Sequence, residues 1–571
     1  MFVRLKHSGR HHYLQIVHNQ RRDGRVRQRV IATLGRLDVL QRSGQIDALL
    51  ASCARFAEHT AVLDAQRRGQ MQPAQTVRIG PDLVFGRLWH DLGLPALLAP
   101  LLANRRFEFA VERAVFLTVL HRLFASGSDR AAERWRHAYR IDGTEMLELH
   151  HLYRAMAWLG EELPDQRAAT PFGPRCTKDL IEEAWFGRRR DLFSQLDLVF
   201  FDTTSIYFEG HGGETLGRYG HSKDHRPDRK QLVLGVLLDG AGRPICCELW
   251  PGNVADAKTL IPIVDRLQQR FAIGSVCIVA DRGMISKQTI GQLQAPARQV
   301  RFLLGARLRA VKEIRTQVLA HRGRYTVVYG PKQHSKDRAP LKVKEVRLGD
   351  RRYIVCHNED QALKDRADRA AILAALRDKL QGGAKQLVGN KGYRKYLHER
   401  PGGGFVIDED KVRREARFDG KWVLQTDTDL SPAEAALKFK DLLLVEQFFR
   451  SIKSVLRNRP IYHKCDETIR GHVFCSFLAL ALLKELQARM QTRGWVAEWN
   501  RLRDDLNAVE EITVTPAGKA FVIRSDLPGD AGRAIQAVGI ALGPVVRLVE
   551  PAERFPLADA AFERSATGDG A

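Results

Sequence analysis

Three acidic residues, remote in sequence, are placed to share one task. Asp202 lies just inside the C-terminal end of an apolar, β-branched run, Leu196–Ser205 (LDLVFFDTTS). Asp281 follows a second such run, Val276–Ala280. If the two runs are neighbouring strands, both carboxylates reach one point. Buried neighbouring carboxylates repel, and each is driven toward its protonated form. Divalent cations remove that penalty, and Mg²⁺ favours oxygen ligands while keeping waters for chemistry. Glu446 sits in the helical pattern Phe439–Leu456 (FKDLLLVEQFFRSIKSVL). At about 100° per residue, Phe439, Leu442, Glu446, Arg450 and Lys453 share one face. The third acid then lies beside two cations suited to phosphate contact, while Leu444, Phe448 and Val455 face a core. A strand-end Asp alone is commonly a turn residue, so the conjunction of all three carries the reading.

Strands are needed to hold the first two acids and a helix to bring the third. Leu196–Ser205, Leu232–Leu238, Pro244–Trp250, Val276–Ala280 and Val300–Gly305 read as strands, and Asp256–Phe271 and Ser286–Leu293 as helices. The order β-β-β-α-β-α-β is, by analogy, that of a ribonuclease-H-like core. The expected fold class is α/β, with that core interrupted by a mainly β insertion subdomain. An N-terminal β-hairpin and a helical domain precede it. The expected divisions are 1–75 (basic hairpin and linker), 76–190 (helical), 191–306 (core, first part), 307–428 (β-rich insertion), 429–495 (core, second part, with the acidic helix) and 496–571 (tail). The hairpin is read as Tyr13–Val17 and Val26–Leu34 around Arg22-Asp23-Gly24, since Asp-Gly between alternating segments is a strong turn signal. Gln66–Val77 reads as a linker. In the insertion, strands are expected at Tyr325–Tyr329, Leu341–Leu348, Arg352–His357, Phe405–Asp408 and Trp422–Thr426, and a helix at Asp365–Leu380.

Composition narrows the partners. The 571 residues carry 91 Lys and Arg against 67 Asp and Glu, a net charge of +24. Such a field attracts polyanions, of which nucleic acid is the usual one. Residues 1–36 hold nine Lys/Arg and one acid, Asp23, and a basic hairpin there is a candidate DNA contact. The eight cysteines form no CxxC pair, as expected of a reduced cytosolic protein. His463, Cys465, His472 and Cys475 could in principle ligate zinc, but their spacing matches no common zinc module. No apolar run is long enough to span a bilayer, so no membrane partner is expected.

Five stretches fit a known pattern: FFDTTSIYFEG, YGHSKDHRPDRKQLVLGVLLDGAGRPICCELWPGNVADAKTL, IVADRGMIS, DGKWVLQTDT and LLLVEQFFRSIKSVLRNRPIYH. With them, most of residues 1–500 resembles the DDE transposases of bacterial insertion sequences, in the insertion-sequence-four group. The resemblance implies that Asp202, Asp281 and Glu446 are the catalytic, metal-holding acids. It implies two Mg²⁺ ions, with Mn²⁺ as a substitute, and in-line attack at phosphorus. The family's helix signature is Tyr, Arg, Glu and Lys with gaps of two, three and six residues. Glu446 and Lys453 match it, whereas Phe439 and Leu442 stand at the Tyr and Arg positions. Arg450, on the same face, is the substitute cation. The implied partner is double-stranded DNA, both the element's terminal inverted repeats and the target, engaged by a homodimer in the bacterial cytoplasm and nucleoid. Lys453, Arg450, Lys223, His225 and Arg226 are the expected DNA contacts. Tyr219, Lys223, Lys230, Asn253 and Asp256 are candidates for a surrounding ring.

Three other readings compete. A ribonuclease-H-like nuclease or junction resolvase would cut without joining. A DNA-binding protein with a dead site is disfavoured by the presence of all three acids. A basic adaptor for RNA would not cleave duplex DNA.

Overall fold

The computed structural model describes residues 1–548 except 23–24, 54–72, 171–172, 190–197, 272–275, 285, 296–299, 332–333, 335–336, 382–392, 394, 401–403, 457–458 and 516–519. The chain forms two compact units, residues 1–84, 137–140 and 493–571 in one, and 85–136 and 141–492 in the other.

The first unit opens with β1 (Phe2–Ser8), β2 (His11–Arg22) and β3 (Arg25–Arg36), an antiparallel sheet in that order. Three strands stand where the sequence pattern predicts two short ones: β1, whose Val3 and Leu5 alternate with Arg4 and Lys6, is added, and β2 and β3 run on into polar tips that carry no apolar alternation. The Asp23-Gly24 turn lies outside the described residues. The stretch read as a linker is in part a strand, β4 (Pro73–Arg78).

The second unit is built on one nine-stranded sheet. Its strands are β5 (Leu198–Tyr207), β6 (Gln231–Asp239), β7 (Pro244–Pro251), β8 (Val276–Ala280), β9 (Val300–Gly305), β10 (Thr326–Tyr329), β11 (Leu341–Leu348), β12 (Arg351–His357) and β15 (Lys421–Thr426); β13 (Leu397–Glu399) and β14 (Phe405–Ile407) pair separately. β7, β6 and β5 are antiparallel, and β8 and β9 then add in parallel. Every residue of β6 is buried, as suits a central strand covered on both faces. Val199, Phe201, Val233, Leu237, Ile278 and Phe302 pack against the helix Leu260–Phe271 through Leu260, Ile263, Val264 and Leu267. The stretch read as an insertion extends this same sheet: β15 pairs antiparallel with β9 and so covers what would be a bare edge. The expected helix there is longer than read, Glu359–Gln381.

The acidic helix differs from the reading. Pro432–Lys440 and Leu443–Ser454 are separate helices. Ser431 and Glu434 form a capping box that starts the first, and the chain breaks at Asp441 and Leu442 before the second begins. Phe439 therefore does not share a helix with Glu446, and Leu442 is buried. The long helix Asp466–Gln491 follows, apolar nearly all round and buried along most of its length.

The stretch 496–571, expected to be a tail, belongs to the first unit, which takes in residues 493–571. After the helix Trp499–Asn507 come β16 (Glu510–Val514), β17 (Phe521–Arg524) and β18 (Val546–Leu548), and β16 pairs with β4. Strands more than 400 residues apart thus close one sheet, which no local pattern could reveal. No described helix is long and apolar enough to cross a membrane.

Candidate active site

β5 and β8 run side by side in parallel, with Phe201 opposite Ala280. Asp202 and Asp281 are the next residues on each. Alternation sends Val199 and Phe201 into the cluster under the helix Leu260–Phe271. Asp202 points to the opposite face, and the helix Leu443–Ser454 packs against β5 and β6. Burial raises the Asp202 carboxyl to about 6, opposed by the Lys223 charge and the Thr203 amide, with Asp281 and Asp256 adding to the rise. The Thr203 N–H donates to Asp202 Oδ1 at 2.7 Å. Asp281 is exposed. Asp202 is thus a half-desolvated carboxylate with acidic neighbours, and both features favour its protonated form.

A ring of polar contacts holds this strand from behind. Thr203 Oγ1 donates to Asp256 Oδ1 at 2.8 Å. Lys223 Nζ donates to the Thr203 carbonyl at 2.7 Å and to its Oγ1 at 2.9 Å, and lies 3.1 Å from Asp256 Oδ2. Lys223 is thus turned onto β5, in place of the outward DNA contact expected of it. Tyr219 and Asn253 are exposed and Lys230 half-buried. His225 is exposed in a left-handed conformation, φ 55°. Arg226 pairs with Asp228 at 2.9 Å and lies over the Tyr207 ring.

Glu446 and Arg450 are exposed on the helix Leu443–Ser454, with Val445, Phe448, Phe449 and Ile452 buried beneath. Leu444 and Val455, read as core, are only half-buried. The helix is fixed at both ends. Leu444 lies where a side chain at Gly242, in the β6–β7 turn, would meet it, and Lys453 donates to Asp224 Oδ1 at 2.7 Å. Lys453 is therefore engaged within the protein, and Arg459 pairs with the same carboxylate. Thr203, Asp224 and Arg459 escaped the sequence reading. Thr203 follows Asp202 directly, which was the available signal; the other two needed tertiary structure.

Asp202, Asp281 and Glu446 do not have their oxygens gathered within 4.8 Å of one another. Among the described residues, the group that does meet that distance is Asp129, His463 and His472. There His463 Nε2 lies 2.9 Å from His472 Nδ1 and 3.4 Å from Asp129 Oδ2. Arg122 stands among them, 2.8 Å from His472 Nδ1 and 3.5 Å from Asp129 Oδ1. Burial lowers both histidines, His472 well below the ordinary range, and so disfavours a charge on either ring. One guanidinium and one carboxylate already balance. A divalent ion would add uncompensated charge to a buried place, and the group reads as a hydrogen-bonded network. Cys465 is exposed and Cys475 buried.

The chain matches the family described as "Transposase DDE domain" over residues 194–482, and the "IS1634 family transposase, N-terminal domain" over residues 3–66. The N-terminal match names the IS1634 family, where the sequence reading named the insertion-sequence-four group. No curated protein matches. Among solved structures, a piggyBac transposase synaptic complex with hairpin DNA is similar at 10% identity and TM-score 0.33, over 75% of this chain and 76% of that one. A Mos1 transposase paired-end complex is similar at 14% identity and TM-score 0.14, over 34% of this chain and 61% of that one. The DDE match spans half the chain and contains Asp202, Asp281 and Glu446. The protein belongs to the DDE transposases of insertion sequences.

Proposed function

We propose that this transposase cuts DNA at the ends of its element and joins the freed 3′-hydroxyl to target DNA, with Asp202, Asp281 and Glu446 as the catalytic acids. The observation that carries the reading is the half-buried Asp202, raised to about 6 and next to Asp281 across parallel strands. That pair is an all-oxygen donor set suited to Mg²⁺ or Mn²⁺. Glu446 would complete it through a shift of its exposed side chain and helix. Bound there, two divalent ions would activate the attacking oxygen and stabilise the leaving one.

The chain's own residues do the rest. Thr203, Lys223 and Asp256 hold β5 so that Asp202 keeps its direction. Lys453 and Arg459, through Asp224, fix the end of the helix that carries Glu446. Arg450, and His225 and Arg226 on their loop, contact the DNA backbone and fix its position without reading sequence. In the first step a water oxygen bonds to phosphorus and the bond to the 3′-oxygen breaks. In the second, that 3′-hydroxyl bonds to a target phosphorus and a target 3′-oxygen leaves. We read β5–β9 as a ribonuclease-H-like core with residues 307–428 inserted ahead of Glu446, acting as a homodimer with one copy per element end.

The test is cleavage of an end-bearing duplex with Mg²⁺ or Mn²⁺, followed by joining of a precut end to a supercoiled plasmid. Asp202→Asn, Asp281→Asn and Glu446→Gln should each lower both steps by about 10³-fold or more with the fold intact. Cleavage without joining would favour the nuclease or resolvase reading.

A further inference from the structure

β2 and β3 outrun the sheet they belong to. β1 stops pairing where Phe2 meets Val17. Beyond it, among the described residues, β2 and β3 pair only with each other, through five pairs, His18–Arg29, Asn19–Gln28, Gln20–Arg27, Arg21–Val26 and Arg22–Arg25. At about 3.4 Å per residue this is a free two-stranded ribbon about 17 Å long. His18, Asn19, Gln20, Arg21 and Val26 to Arg29 are all exposed.

Its composition does not serve folding. The ten paired residues include five arginines and no acid. Arginines concentrated in this way, with no acid among them, repel one another and do not stabilise a ribbon. Among the described residues, Arg21, Arg27 and Arg29 make no ion pair and Gln20 no side-chain hydrogen bond. Gln28, on the other face, is held by Arg4 at 2.8 Å. Alternation therefore leaves one face presenting His18, Gln20, Arg27 and Arg29, with Gln20 and Arg27 as cross-strand neighbours at its centre.

We propose that this ribbon enters the major groove of duplex DNA and reads its sequence, Gln20 and Arg27 contacting base edges and Arg29, on the same face, a flanking phosphate. The proposal rests on the DNA reading above and gives it a recognition element outside the acidic site. The groove of B-form DNA, about 12 Å wide, admits a two-stranded ribbon. Glutamine matches the adjacent donor and acceptor of adenine, and arginine the paired acceptors of guanine. The narrow, deep major groove of A-form RNA would exclude the ribbon.

The full-length protein, without divalent metal, is used to enrich duplexes from a random-sequence pool. The winning duplex is then measured against a scrambled one, with wild type, Gln20→Ala, Arg27→Ala and, as a control on the opposite face, Asn19→Ala. Wild type should enrich one short sequence. Gln20→Ala and Arg27→Ala should each cut preference over the scrambled duplex about 10-fold or more while binding the scrambled duplex within a few-fold of wild type. Asn19→Ala should change little, guanines replaced by 7-deazaguanine should mimic Arg27→Ala, and the same sequence as double-stranded RNA should show no preference. All the substituted positions are exposed, and unchanged melting curves confirm folding. If the variants enrich the same sequence as wild type, or wild type enriches none, the ribbon proposal is overturned. End cleavage by wild type is scored separately, so a transposase that cuts DNA but reads it elsewhere is told apart from a protein that does not act on DNA.

Discussion

Lys453 Nζ lies 2.7 Å from Asp224 Oδ1, tying the last turn of the Glu446 helix to the loop that also carries Lys223. Asp224 is 4% exposed and also accepts Arg459. Its Oδ2 is buried without a hydrogen-bond partner among the described residues. The pair is therefore a clamp with one carboxylate and two cations, and burial lowers Lys453 even so. Asp224→Asn should leave both cations poorly matched. A double-mutant cycle of Lys453→Met and Asp224→Asn should show a coupling of about 0.5–3 kcal/mol in urea unfolding. Strict additivity would mean the contact is incidental.

The carboxyl of Asp202 gives a prediction in the absence of metal. Its pKa is raised from 3.8 to about 6 by burial. An acid raised on folding is protonated in the folded state over a range where the unfolded chain is already ionised. Stability is thus lost as pH rises from about 4 to 6, and the gap corresponds to about 3 kcal/mol. With EDTA present, Asp202→Asn should gain stability over wild type through that window and hold the gain above pH 6. Mg²⁺ or Mn²⁺ should then stabilise wild type and not the variant. An equal response of both proteins to metal would remove Asp202 from the metal site.

How much of this was legible is best seen strand by strand. Val276–Ala280, Val300–Gly305 and Leu341–Leu348 have the bounds read from sequence, because each is an apolar or alternating run closed by Asp or Gly. β4 was hidden because Pro73–Arg78 is polar and its partner, β16, lies at the far end of the chain. The break at Asp441 and Leu442 was hidden for a different reason: periodicity continues across it, and the capping box at Ser431 was the overlooked sign that a helix begins earlier. At the site, Asp202, Asp281 and Glu446 could be named from type and spacing. That Lys223 turns inward to Thr203 and Asp256, and that Lys453 is held by Asp224, depends on contacts no single stretch encodes.

Beneath β7, Arg270 is fully buried among Asp179, Glu182, Glu183 and Glu248, with Lys178 and Arg266 alongside. It holds Asp179 well below the usual carboxylate range, together with Lys178 and Arg266 and against the effect of burial. Removing one partner of such a group strands the other charges. Arg270→Met should cost about 3–5 kcal/mol or abolish soluble expression. Chemical unfolding measures it, and a loss under about 1 kcal/mol would show that the network contributes little to stability.

Buried histidines give the opposite pH slope from Asp202. Burial lowers His121 to about 3, with Arg122 adding to the effect, and drives His472 well below its ordinary range. A base depressed on folding stays neutral in the folded state while the unfolded chain takes up a proton near pH 6.5. Its contribution is complete above pH 6.5 and is lost as pH falls toward the folded value. At pH 5 the loss from His121 alone is about 2 kcal/mol. Wild-type stability in denaturant should therefore fall between pH 7 and 5 more than that of His121→Asn, which carries no titrating ring. Parallel pH profiles for the two proteins would mean that His121 is protonated in the folded state at pH 5, and that Arg122 and the enclosing side chains do not exclude its charge.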